Sequence, residues 1–116
     1  MKYLALIYSA PNGQPAYGTP EFGAFMAGYD HATQTYKKDG VMLAGEGLQG
    51  TSTATTVRIR NGKTETMDGP FAETKETLSG FYLFDCANLD EAIKYAAMIP
   101  SAQFGSVEIR PVMVYG

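Results

Sequence analysis

Leu78-Ser79-Gly80-Phe81-Tyr82-Leu83-Phe84-Asp85-Cys86 decides the fold, because Phe81 to Phe84 is the strongest strand-forming run in the chain and suits the middle of a sheet. Downstream, Asn88-Leu89-Asp90-Glu91 has the spacing of a capping box, with Glu91 three residues after the cap. Leu89, Ile93, Ala96 and Ile99 then recur at helical spacing until Pro100 stops the helix. Ser106 to Val114 supplies a last strand. Upstream lies Asp68-Gly69-Pro70-Phe71-Ala72-Glu73-Thr74-Lys75-Glu76, whose glycine permits positive φ and whose proline fixes φ near −65°. This corner leads from a hairpin, Thr55–Arg60 and Lys63–Met67 around Asn61-Gly62, into the central strand.

The first half repeats the same grammar. Lys2 to Ser9 is an apolar, aromatic strand ended by Pro11-Asn12-Gly13. Thr19, Pro20 and Glu21 read as N-cap, first helical residue and dipole-favoured acid, and Asp39-Gly40 as the stop. Between them Phe22, Phe25, Met26, Tyr29, Thr33 and Tyr36 form one helical stripe that should cover a sheet. Gly23 and Gly28 weaken this helix by up to about 1 kcal/mol each, so its stability must come mainly from packing, and close approach to the sheet or to a second subunit is one reason for them. Val41 to Leu48 is a strand with Gly45 and Gly47 on one side and Ala44 and Glu46 on the other. The order β-α-β, hairpin, β-α-β predicts an α+β domain over residues 1–116. It is a ferredoxin-like split βαβ antiparallel sheet with an extra β-hairpin and both helices on one face. The other face needs a cover, and a homodimer is the expected one.

Composition removes several classes of function. The net charge of −3, without a Lys/Arg run, argues against nucleic-acid binding by counterion release. Cys86 is the only cysteine, so there is no internal disulfide and no cysteine metal cluster. No metal spacing, phosphate loop or serine elbow occurs, so neither metal nor cofactor is expected. The apolar N-terminal run is too short for a membrane span and has no convincing cleavage site, and a cytoplasmic protein is expected.

Asp68 to Glu76, together with Leu43-Ala44-Gly45-Glu46-Gly47-Leu48, Gly80-Phe81-Tyr82-Leu83 and Gly105-Ser106-Val107-Glu108-Ile109-Arg110-Pro111, resembles the DGPF branch of the YCII-related proteins across essentially the whole chain. The resemblance implies a dimeric α+β barrel. It also implies a regulatory setting, since relatives are often encoded beside sigma factors, so a non-enzymatic interaction module with a sigma-factor partner is the alternative to an enzyme. Better-understood relatives pair a helix-borne His with an Asp for acid/base work. Counting back from Ala44-Gly45 without gaps puts that histidine at Gly28. The chain's single histidine, His31, lies opposite the apolar stripe, which favours plain exposure over catalysis.

The remaining candidates are a carboxylate, an aromatic and a cluster. Asp68, held by the turn, either caps it by accepting backbone N–H bonds or serves as a base of raised pKa. Phe71 either plugs the core or walls a pocket. Glu46, alone between glycines, shares the open sheet face with Tyr82 and Arg110 in this reading, to bind a small molecule or to form a Glu-Arg pair at a dimer interface. A metal-independent binding protein or acid/base enzyme would then use a dimer cleft lined by Asp68, Glu46, Tyr82 and Phe71. Glu73, Lys75 and Glu76 read as a solvated stretch, and Cys86 as a buried side chain.

Overall fold

In a computed structural model describing residues 1–116, the chain runs β1 (Lys2–Ser9), α1 (Pro20–Lys38), β2 (Met42–Gly47), β3 (Thr55–Arg60), β4 (Lys63–Asp68), β5 (Thr77–Asp85), α2 (Leu89–Ala96) and β6 (Gly105–Pro111). Four strands form one antiparallel sheet in the order β2-β5-β1-β6, and β3 and β4 form a separate hairpin. Without the hairpin this is the ferredoxin-like arrangement, with Leu78–Cys86 supplying an interior strand.

The local signals explain the ends. Thr19 Oγ1 accepts from the Phe22 N–H to cap α1, and Gly40 leaves it at φ 69°. Asn88 Oδ1 accepts from the Glu91 N–H at 2.9 Å to cap α2. Asn61 and Gly62, at φ 52° and 75°, make the primed hairpin turn. Two expected ends move. The second helix stops at Ala96 instead of reaching Ile99, because Pro100 pushes Ile99 to an extended ψ of 118°. The last strand stops at Pro111 instead of Val114, since beyond the Lys2 carbonyl, which takes the Val112 N–H, β1 offers no further partner.

One core holds the sheet to both helices. Tyr3, Ala5 and Ile7 of β1 and Tyr82 and Phe84 of β5 pack against Ala32 and Tyr36 of α1 and Ala92, Tyr95 and Ala96 of α2. The fully buried Tyr36 ring makes edge contacts with Tyr82, Phe84 and Tyr95 at 5.1, 4.8 and 5.7 Å between centroids. Its hydroxyl donates to the Tyr95 carbonyl at 2.6 Å, and no buried side-chain nitrogen or oxygen lacks a hydrogen-bond partner.

On the opposite face Leu4, Leu6, Phe81 and Leu83 lie side by side, half-buried, with nothing packed over them. No helix is long and apolar enough to cross a membrane.

Candidate functional site

A cavity of about 670 Å³ opens between α1 and the β2 edge of the sheet. Its back wall depends on two close approaches. A Cβ at Gly45 would stand 2.6 Å from the Tyr82 ring, so only glycine lets that ring lie flat along β2. A Cβ at Gly28 would stand 2.9 Å from Pro100 Cγ, so glycine also lets the Pro100–Gln103 turn reach α1 and bring Ser101 to the cavity. The neighbour that Gly28 admits is this turn and not the sheet, and a Cβ at Gly23 would meet nothing within 4 Å.

Two hydroxyl pairs line the chamber. Tyr29 and Ser101 are 2.7 Å apart at their oxygens, and Thr33 Oγ1 and the Tyr82 hydroxyl are 2.9 Å apart. Tyr29 and Thr33 sit one helical turn apart on the same stripe of α1. Phe22, Phe25, Met26 and Met42 make the apolar walls, and Glu46 and Lys37 are the two charged residues lining the cavity. Neither is in an ion pair. Burial pushes the Tyr29 phenol above its ordinary pKa, the nearby Tyr82 adds to this and Ser101 opposes it. At neutral pH it therefore remains a neutral hydroxyl that can donate or accept.

The expected residues are divided by the fold. Glu46 and Tyr82 line this cavity but do not share a sheet face. Tyr82 pairs with Gly45 and points to the helices at 7% exposure, while Glu46 pairs with Phe81 on the open face. Phe81 to Phe84 is apolar on both sides, so its side-chain alternation was hidden. Arg110 is on the open face but at the other edge, on β6, roughly 14 Å from β2 at three strand spacings. Its Nε lies 3.9 Å from Glu108, its own strand neighbour, and it forms no pair with Glu46.

Asp68 lines neither this cavity nor any turn cap. It ends β4 exposed, and its carboxylate makes no hydrogen bond. The corner is closed by the Gly69 N–H to the Ala54 carbonyl at 2.7 Å and by Thr56 Oγ1 donating to the Gly69 carbonyl at 2.8 Å, with Gly69 at φ 92°. Phe71 is no core plug. It is 74% exposed and walls a second cavity of about 630 Å³ with Tyr8, Leu48, Pro70, Glu76 and Leu78. His31 is exposed on α1. Cys86 is buried, and burial, followed by Glu91 and Asp85, pushes its thiol pKa up, the reverse of what a nucleophile needs. No three His, Cys, Asp or Glu side chains gather as a metal site.

Tyr29, Thr33 and Ser101 were missed as site residues. The first two were legible only as members of the apolar stripe. Ser101 follows a proline in a short turn, and no local pattern marks it.

The chain is similar to known proteins in sequence and in fold. A protein of Rhizobium meliloti (strain 1021), named only as uncharacterised, is 39% identical over 117 residues, covering 99% of this chain and 94% of its own. A 5-chloro-2-hydroxyhydroquinone dehydrochlorinase from Burkholderia phenoliruptrix AC1100, solved with 2,5-dihydroxybenzoquinone, shares the fold at a TM-score of 0.54. It is 11% identical, and the match covers 97% of this chain and 94% of that one. The YCII-related domain matches residues 1–115, and the chain belongs to that family.

Proposed function

We propose that the chain binds a small hydroxylated aromatic or quinone-like compound in the α1–β2 cavity, as a metal-independent binding protein or acid/base enzyme. The observation that carries this is the cavity itself, whose aromatic and methionine walls hold two hydroxyl pairs, with the exposed Glu46 carboxylate at its β2 edge. Its size falls within the roughly 300–1,000 Å³ typical of small-molecule sites. Flat rings suit the Phe22, Phe25 and Tyr82 walls, and ring oxygens suit the hydroxyls of Tyr29, Thr33, Tyr82 and Ser101. Glu46 is the group able to accept a proton from a ring hydroxyl, with the neutral Tyr29 phenol as a donor to a ring oxygen. The dihydroxybenzoquinone bound by the structural neighbour belongs to this class of compound.

A homodimer is part of the proposal, since a second copy over Leu4, Leu6, Phe81 and Leu83 would remove an apolar sheet face from water. The test is a thermal-shift and calorimetric titration with hydroxylated benzenes and benzoquinones, comparing wild type with Glu46→Gln and Thr33→Val. Saturable stabilisation of the wild type, weakened in both variants, is expected. Equal responses from all three proteins would sink the assignment to this cavity.

A further inference from the structure

The β3–β4 hairpin is held by its own turn and ladder and packs little against the rest of the chain. Eleven of its twelve strand residues are exposed, Val57 and Ile59 at 61% and 67%. The chain's radius of gyration is 16.2 Å, against about 13–14 Å expected for a compact chain of this length. Isolated two-stranded hairpins are marginal in water.

Charge indicates what docks. The register sets Arg58 opposite Glu65 and Arg60 opposite Lys63, so three cations and one carboxylate share one face near the hairpin tip. None of the four is in an ion pair. The root and the segment leaving it have the opposite balance, with Asp68, Glu73 and Glu76 against Lys75. Glu76 is the only charged residue lining the 630 Å³ cavity, beside Phe71, and no cation faces it. A hairpin with a basic tip and an acidic root is complementary to an antiparallel copy of itself, the relationship a two-fold axis creates.

We infer that the hairpin is a dimerisation arm, laid along the partner's Asp68–Glu76 segment. Its Arg58, Arg60 and Lys63, on one face of the ribbon, neutralise the partner's Glu73 and Glu76, while Val57 and Ile59 project from the other face, outside this contact. The partner copy thus completes the second cavity. This rests on the homodimer proposed above and specifies the contact that orients it.

The test is a charge exchange followed by sedimentation-velocity centrifugation. One variant carries Arg58→Glu and Arg60→Glu, the other Glu73→Arg and Glu76→Arg. Each homodimer would then set like charges against each other twice, and its dissociation constant should rise at least about tenfold over wild type. An equimolar mixture restores opposite charges at both contacts, so a heterodimer should form with near wild-type affinity. That recovery also shows both variants to be folded. A dimeric wild type with unaltered variant homodimers, or with no recovery on mixing, overturns the arm contact alone. A monomeric wild type overturns both the arm and the sheet-face homodimer.

Discussion

Gly45 and Tyr82 face each other across β2 and β5 so closely that a Cβ on the glycine would lie 2.6 Å from the Tyr82 ring. The pair joins stability to the cavity, because the same ring stacks on Phe84 and directs its hydroxyl to Thr33. Gly45→Ala must displace Tyr82 or β2. A loss of about 1–3 kcal/mol is expected, the usual cost of overpacking, together with weakened binding of any compound that wild type binds. Chemical denaturation and calorimetry of the variant check both. An unchanged midpoint with unchanged binding would mean that the ring does not set the cavity wall.

Tyr36 links the helices through its core hydroxyl. Tyr36→Phe keeps the aromatic contacts and removes the 2.6 Å bond to the Tyr95 carbonyl. That carbonyl retains the Met98 N–H at 3.1 Å, so it is not orphaned. A cost of about 1 kcal/mol, or about 4 °C in Tm, is expected. Scanning calorimetry of the two proteins decides it.

The elements were legible because each is bracketed by strong local chemistry: Thr19-Pro20 and Asn88 at helix starts, Asn61-Gly62 at the hairpin, and Leu78–Cys86 as an interior strand. The site was legible only in fragments. Glu46 and Tyr82 were both singled out and do line one cavity, but from opposite sides of the sheet. A strand apolar on both faces carries no phase in its sequence. Ser101 enters because Gly28 admits Pro100, a contact between residues 72 apart in sequence that no periodicity encodes. Asp68 drew attention through the turn beside it, yet the conformation is held by backbone groups and Thr56.

That last contrast is itself measurable. Asp68→Asn removes a charge from an exposed side chain without hydrogen bonds and should change stability by less than about 0.5 kcal/mol. Gly69→Ala forces an alanine to φ 92° and should cost about 1–2 kcal/mol, although a Cβ there would touch nothing. Parallel urea titrations of the two variants compare them directly. A larger loss in Asp68→Asn than in Gly69→Ala would reverse the assignment of the corner to backbone conformation.

Alkaline pH separates the tyrosines. The Tyr95 hydroxyl donates to Asp39 Oδ2 at 2.8 Å, and this bond, followed by burial and the Asp39 charge, raises its pKa to about 12. Burial raises Tyr36 and Tyr29 as well. The folded pKa of Tyr95 exceeds the unfolded value near 10, so the folded state holds the proton more tightly. Its contribution to stability is complete below pH 10 and disappears as the pH rises towards 12. Spectrophotometric titration of the native protein should show Tyr95 ionising late. Asp39→Asn removes the charged acceptor, so one phenol should move to lower pH, and the loss of stability attributable to Tyr95 between pH 10 and 12 should shrink. If the variant's tyrosine titration and alkaline unfolding both superimpose on wild type, the Asp39–Tyr95 bond is not what retains the proton.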